Sequence, residues 1–326
     1  MSTDDGASLK ALLPADARER VQAVRLSDGV ATLVLDVAGL DRLGRDKLEI
    51  AIKAVLRGAP GVKDVRVAMT ADRAVAPRRR IVAIGSGKGG VGKSTLSANL
   101  AVALVRRGSK VGLVDADIYG PSQPRLLANE GIRPEARDQK LIPVASPWGV
   151  PVLSMGHLVE PGKAIAWRGP MASGALGQLV DAEWGDVDLL LIDLPPGTGD
   201  VQLTMVQKHK PDGVVIVSTP QDLALIDATR AMSFFGQAGV PVIGMVENMS
   251  GYVCPHCGET SDPFGHGGAE AVARLEEVPF LGHVPLDLAI RQDSDAGRPP
   301  AAGDTPQGRA FLAIADRLAA WLEQVG

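Results

Sequence analysis

The chain has 326 residues, 45% of them hydrophobic and 22% charged, with a formal net charge of −4; the length suits one large domain and one small one, and the charge gives no support to a nucleic-acid partner. Two cysteines exclude a disulfide scaffold and point to a reducing, cytoplasmic compartment. The acidic start MSTDDGASLK lacks the apolar segment of a signal peptide, and no run of about 18 uncharged apolar residues is present to span a membrane.

Residues 1–76 read as a small α+β domain. The β-rich runs VQAVRL and VATLVLDV flank Asp28-Gly29, a hairpin turn pair. A helix is expected over roughly residues 45–57, with Leu48, Ile52, Val55 and Leu56 at helical spacing. GVKDVRVAMT then alternates like a half-buried strand. ADRAVAPRRR reads as a linker closing at residues 77–80, and its arginines Arg78, Arg79 and Arg80 as a solvated junction, since three charges are a short run.

From Ile81 to the C-terminus, apolar strands alternate with helical stretches. IVAIG, KVGLVDAD, DLLLIDLP, GVVIVSTP, VPVIGMVEN and FLGHVP are apolar on both faces, as strands of a helix-covered parallel sheet must be. The expected class is α/β, doubly wound and mostly parallel. Ligands in such folds bind beyond the carboxyl ends of the strands.

Beyond the first of these strands lies GSGKGGVGKST. Gly85-x-Gly87-x-x-Gly90 fits a dinucleotide fingerprint, while Gly87-x-x-x-x-Gly92-Lys93-Ser94 fits a phosphate loop. Lysine and hydroxyl at that spacing favour the phosphate loop. Gly87, Gly89, Gly90, Val91 and Gly92 present backbone N–H groups to phosphates, and a helix opening at Lys93 adds its dipole. Lys93 is expected on the β/γ-phosphates of ATP, Ser94 on Mg²⁺ and Thr95 on the α-phosphate. Asp115 and Asp117 end the next strand, and Asp193 closes the strongly apolar LLLID as a Walker B acid. Each of these acids reads alternatively as a helix N-cap.

KGGVGKST, with its extra Lys88, resembles the deviant Walker A of the MinD/ParA/nitrogenase-reductase group of P-loop ATPases. In that group the early lysine touches nucleotide bound by the partner chain, so the resemblance makes Lys88 catalytic together with Lys93 and implies an ATP-sandwich homodimer. It also places Asp115 in the metal shell, Asp117 on the attacking water, the Gly197 N–H on the γ-phosphate, Asn248 on the adenine edge and Pro285 of HVPLD beside the base. Asn248 reads alternatively as an ordinary turn residue.

Cys254 and Cys257 stand in YVCPHCGET, and C-x-x-C is half of a zinc, redox or iron–sulfur site. The set KGGVGKST, DADIYGPS, DLPPGTGD, ENMSGYVCPHCG and DPFGHGG resembles the Mrp/ApbC-type iron–sulfur cluster carrier ATPases over 81–326. Residues 1–76 resemble the metal–sulfur assembly domain often fused ahead of them, but the loop DVAGLDRLGRDK lacks the usual cysteine. The resemblance implies a [4Fe–4S] cluster bridging a homodimer through Cys254 and Cys257 of each chain, an upstream assembly scaffold and apo iron–sulfur proteins as recipients. His256 and His266 are weaker candidate ligands.

A positioning ATPase of the MinD/ParA kind with a structural zinc is the alternative. MinD-like proteins end in a basic amphipathic helix. GRAFLAIADRLAAWLEQVG is amphipathic, with Phe311, Leu312, Ala315, Leu318 and Leu322 on one side, but its charges cancel, which favours packing on the domain over a membrane. A nitrogenase-reductase-like electron donor would have widely separated cysteines.

Overall fold

The computed structural model describes residues 4–37, 40, 42–70, 79–158 and 169–325. They form two compact units, Met1–Arg78 and Arg79–Gly326. Most of the linker, 71–78, and part of the cysteine-free loop, residues 38, 39 and 41, lie outside the described residues.

In the first unit, α1 (Asp4–Ala11) and α2 (Ala15–Arg20) precede β1 (Val21–Ser27) and β2 (Val30–Asp36). Asp28 and Gly29 take φ of 53° and 81°, the left-handed pair that a tight hairpin needs. A crossover helix α3 (Arg42–Leu56) returns the chain to β3 (Asp64–Thr70), parallel to β2, giving the order β1-β2-β3. Leu33, Leu35, Ile52 and Leu56 are fully buried, and Leu9 of α1, Leu13 of the turn after it and Ala17 of α2 complete this core. Val55, placed on the apolar side by spacing, is exposed.

The second unit begins with β4 (Arg80–Gly85), α4 (Lys93–Arg106), β5 (Val111–Asp115) and α5 (Gln123–Leu126). A two-residue ladder, β6 (Ala136–Arg137) with β7 (Lys140–Leu141), leads to β8 (Val152–Ser154) and α6 (Met155–Leu158). Then come α7 (Gly169–Val180), β9 (Leu189–Asp193) and α8 (Asp200–Thr204), which runs into a π-helical turn at Met205–His209. The chain continues through β10 (Gly213–Ser218), α9 (Asp222–Gln237), β11 (Val242–Val253), β12 (Thr260–Ser261), α10 (Gly268–Leu275), β13 (Phe280–Leu286), α11 (Leu288–Asp295) and α12 (Pro306–Gln324). The sheet order is β12-β11-β10-β4-β9-β5-β8, with β13 also on β11, and only β12 runs antiparallel to its neighbour.

Helices cover both faces of this sheet, so its central strands are buried throughout. One layer joins Leu96, Leu100 and Leu104 of α4 and Phe311, Ile314 and Leu318 of α12 to Ile84, Leu113 and Val215. The other joins Leu176 and Leu179 of α7 and Met232 and Phe235 of α9 to Leu190, Ile192 and Ile216. The apolar face of α12 thus lies in the core, and no helix among the described residues is long and apolar enough to cross a membrane. Arg79 Nε donates to the Val187 carbonyl at 3.0 Å and Arg80 to that of Leu322, so both hold the unit together.

Phe311 is fully buried between α4 and the sheet, and truncating it leaves a cavity. Phe311→Ala should destabilise the chain by roughly 3–5 kcal/mol in urea denaturation; a loss under about 1 kcal/mol would mean that α12 is peripheral to the core.

Candidate nucleotide and cysteine sites

The phosphate loop leaves β4 at the carboxyl edge of the sheet. A Cβ on Gly87 would lie 2.1 Å from the backbone carbonyl of Asp227 in α9, so only glycine lets the loop cross there. Gly92 has φ of 82° and faces Asn248, whose Nδ2 would be 2.0 Å from an added Cβ. Gly90 is also left-handed, at φ 80°, with open space beside it. Val91 is buried, Gly89 exposed, and Ser94 and Thr95 half-buried in the first turn of α4, whose leading N–H groups have no intrahelical partner. Lys88 is half-buried in the loop, its carbonyl accepting from Ser86 Oγ at 3.0 Å.

Strands β5 and β9 are neighbours, and Asp115 pairs in register with Asp193. Both carboxylates are fully buried. Lys93 Nζ lies 2.5 Å from Asp193 Oδ1, which also accepts from Ser97 Oγ at 3.2 Å. Gln123 Nε2 donates to Asp193 Oδ2 at 2.8 Å and to the Ser94 carbonyl at 2.9 Å. Asp115 accepts from the backbone N–H groups of Asp117, Ser122 and Gln123 and from Ser154 Oγ, at 2.9–3.1 Å. Burial, and then the charge of Asp193, push the Asp115 carboxyl up to about 7 despite those donors. Two buried carboxylates against one lysine leave the pocket short of positive charge, which fits a divalent cation held by Ser94, Asp115 and Asp193 beside a nucleotide phosphate.

Of the other expected nucleotide contacts, Gly197 and Asn248 meet the phosphate loop. Asp117 Oδ1 accepts from the N–H groups of Tyr119 and Gly120, closing an Asx turn two residues beyond β5. The Gly197 N–H donates to the Ser86 carbonyl at 2.9 Å, tying the segment after β9 to the phosphate loop. Asn248 Nδ2 donates to the Val91 carbonyl at 2.7 Å, so its amide touches the loop itself. Pro285 lines a groove of about 420 Å³ with Tyr252, Val253 and Pro255, beside the cysteine hairpin.

That hairpin is the continuation of β11. Tyr252 and Val253 pair with Ser261 and Thr260, and the tip is closed by Cys254 N–H to the Glu259 carbonyl and Gly258 N–H to the Cys254 carbonyl, both 2.9 Å. Cys254 is half-buried, Cys257 exposed, and both are free thiols. The N–H of Cys257, then that of His256, then the Cys257 thiol hold the Cys254 thiol below its ordinary pKa. Such donors stabilise a thiolate, the form that binds metal. Among the described residues no three His, Cys, Asp or Glu side chains converge as a metal site. His266 is engaged elsewhere, with Nδ1 3.0 Å from Ser250 Oγ and its ring stacked on His283.

Sequence reasoning missed Glu247, a fully buried acid next to Asn248. It accepts from the N–H groups of Gly267 and Ala269 at 2.9 and 2.8 Å, from Ser250 Oγ at 2.7 Å, and lies 3.2 Å from His283 Nδ1. Burial raises its pKa, but these donors outweigh it and the carboxyl lies below its ordinary range. The available signal was an acid within the apolar run VPVIGMVEN, ahead of the glycine-rich GHGG loop.

The raised Asp115 pKa has a definite sign in stability. The folded state holds this proton more tightly than the unfolded chain, so nucleotide-free stability falls as pH rises from about 4 through about 7. Asp115→Asn removes that dependence: between pH 5 and 7 its stability relative to wild type should rise by up to about 1.4 kcal/mol per pH unit in chemical denaturation. Parallel curves for the two proteins would contradict a raised Asp115.

Residues 78–319 match the family model described as ParA, the NUBPL iron-transfer P-loop NTPase. The chain is 43% identical over 309 residues to the iron-sulfur cluster carrier protein of Deinococcus radiodurans, covering 92% of this chain and 87% of that one. It is 51% identical over 228 residues to the protein of the same description from Pseudomonas fragi, covering 69% and 79%. Among solved structures, the nucleotide-binding protein of Archaeoglobus fulgidus in complex with ADP is 39% identical, with a TM-score of 0.62 over 72% of this chain and 93% of that one. The cell division ATPase MinD of Pyrococcus furiosus is 26% identical, with a TM-score of 0.58 over 74% and 99%. Motif, sheet and relatives agree: the chain belongs to the ParA family of P-loop NTPases, in its NUBPL iron-transfer branch.

Proposed function

We propose that the chain is an ATP-hydrolysing carrier that holds a [4Fe–4S] cluster across a homodimer and delivers it to apo iron–sulfur proteins in the cytoplasm, after loading from an assembly scaffold. The observation that carries this reading is one strand, β11, which places Asn248 on the phosphate loop and Cys254 six residues further on, with two free thiols as the chain's whole cysteine complement. Two chains related by a two-fold axis would bring four thiolates to one point, the ligand number of a [4Fe–4S] cargo. Ligands split between chains at an exposed hairpin suit a cargo that must leave.

The ATPase roles follow from the buried charges. Lys93 would exchange its Asp193 contact for the β/γ-phosphate oxygens, and Ser94, Asp115 and Asp193 would hold magnesium, which would supply positive charge beside those phosphates. Asp117, at the half-buried end of its turn, orients the attacking water. Gly197 and Ser86 respond to the γ-phosphate through their shared hydrogen bond. Lys88 reaches the partner's nucleotide. Hydrolysis yields ADP and phosphate, and the change reaches the cysteines through Asn248 and β11; Asn248 also reads the adenine edge. Residues 1–76, without a cysteine, serve in docking.

Anaerobic reconstitution with iron and sulfide tests the cargo. Wild type should bind both, and Cys254→Ala should lose them with its fold retained; equal binding by the two would end the reading. Lys93→Ala should lose nucleotide binding and slow cluster delivery together. Delivery at the wild-type rate by a Lys93→Ala protein that binds no nucleotide would break the proposed coupling.

A further inference from the structure

Gln123 has no assigned role, yet it is fully buried at the start of α5 and touches every element of the expected magnesium shell. Its backbone N–H donates to Asp115 Oδ2 at 3.0 Å. Its side-chain Nε2 donates at 2.9 Å to the carbonyl of Ser94 and at 2.8 Å to Asp193 Oδ2. Both partners of Nε2 are pure acceptors, so the orientation of the amide is fixed by chemistry: reversing it would set oxygen against oxygen twice. The amide oxygen Oε1 is then directed away from them, buried and without any hydrogen-bond donor. Folded chains seldom keep such an acceptor unless something else satisfies it.

We propose that Gln123 is the positioning residue of the magnesium site. It clamps Asp193 Oδ2, holding that carboxylate in place once Lys93 leaves Oδ1 for the phosphates, fixes the Ser94 turn against it, and offers Oε1 to a water coordinated by the metal. Magnesium commonly keeps several of its waters in nucleotide sites, and those waters need buried acceptors. Because Gln123 lies at the end of the segment that begins at Asp115, the metal also latches that segment to the phosphate loop. The inference rests on the magnesium–nucleotide reading above and adds to it a residue that no loop or strand motif contains.

A merely structural glutamine would support nucleotide binding equally with and without the metal. ADP affinity is therefore measured by calorimetry in magnesium and in excess EDTA, for wild type and Gln123→Met, a substitution close in shape that has no hydrogen-bonding group. The gain in affinity on adding magnesium should shrink about tenfold in Gln123→Met, the order expected for one hydrogen bond to a charged group. Its magnesium-free affinity should stay within about twofold of wild type. An unreduced gain, or an equal loss in both conditions, overturns the proposal. A wild type that binds ADP with no gain from magnesium overturns the nucleotide–metal reading as well, which separates the two failures. If Gln123→Met does not fold, wild-type protein labelled with [¹⁵N]glutamine still decides. The Gln123 side-chain NH₂ signals should shift when magnesium is added to the ADP complex, and unmoved signals overturn the assignment.

Discussion

The 2.7 Å hydrogen bond from Asn248 Nδ2 to the Val91 carbonyl joins the two halves of the molecule's chemistry. It works only because Gly92 has no Cβ, since that atom would overlap the Asn248 amide. Beyond Asn248 the chain turns through Met249, at φ 58°, and Gly251, at φ 72°, before reaching the cysteine hairpin. A left-handed methionine costs on the order of 1 kcal/mol or more and persists only where its surroundings over-determine it. Those surroundings are Glu247 on one side and the phosphate loop on the other.

One net hydrogen bond contributes about 1 kcal/mol, too little to couple two sites alone. Glu247 supplies the rest of the rigidity. Its buried carboxylate gathers two backbone N–H groups from the start of α10, the Ser250 hydroxyl and His283. The strand therefore cannot shift at Asn248 without disturbing the loop that follows the hairpin. The buried Lys93–Asp193 pair has a different character. Burying such a pair stabilises little over an apolar alternative, so its value lies in holding two phosphate- and metal-binding groups ready in a dry pocket.

Much of this was legible in the sequence, for identifiable reasons. The six long apolar runs read as buried parallel strands, and all six are parallel, although β13 is mostly half-buried. The edge strand β8 was not legible, because three residues after Pro151 carry no period, and α1 and α2 were hidden by a largely polar composition. The phosphate loop declares itself in eight contiguous residues, as does the cysteine pair in four. What could not be read was how distant residues meet. Lys93 and Asp193 are 100 positions apart, Gln123 and Asp193 are 70, and Val91 and Asn248 are 157. Asn248 shows the limit well: the family resemblance assigned it to the adenine edge, and nothing in the sequence showed that its amide also donates to the phosphate loop.

In the proposed carrier, Cys254 and Cys257 of two chains make one site. Sedimentation velocity of the reconstituted protein, followed at the visible absorbance of the cluster and separately at the protein absorbance, tests it most directly. Cluster absorbance should sediment only with the dimer, and removing iron with a chelator should return the protein signal toward monomer. Cluster absorbance travelling with a monomer would contradict it.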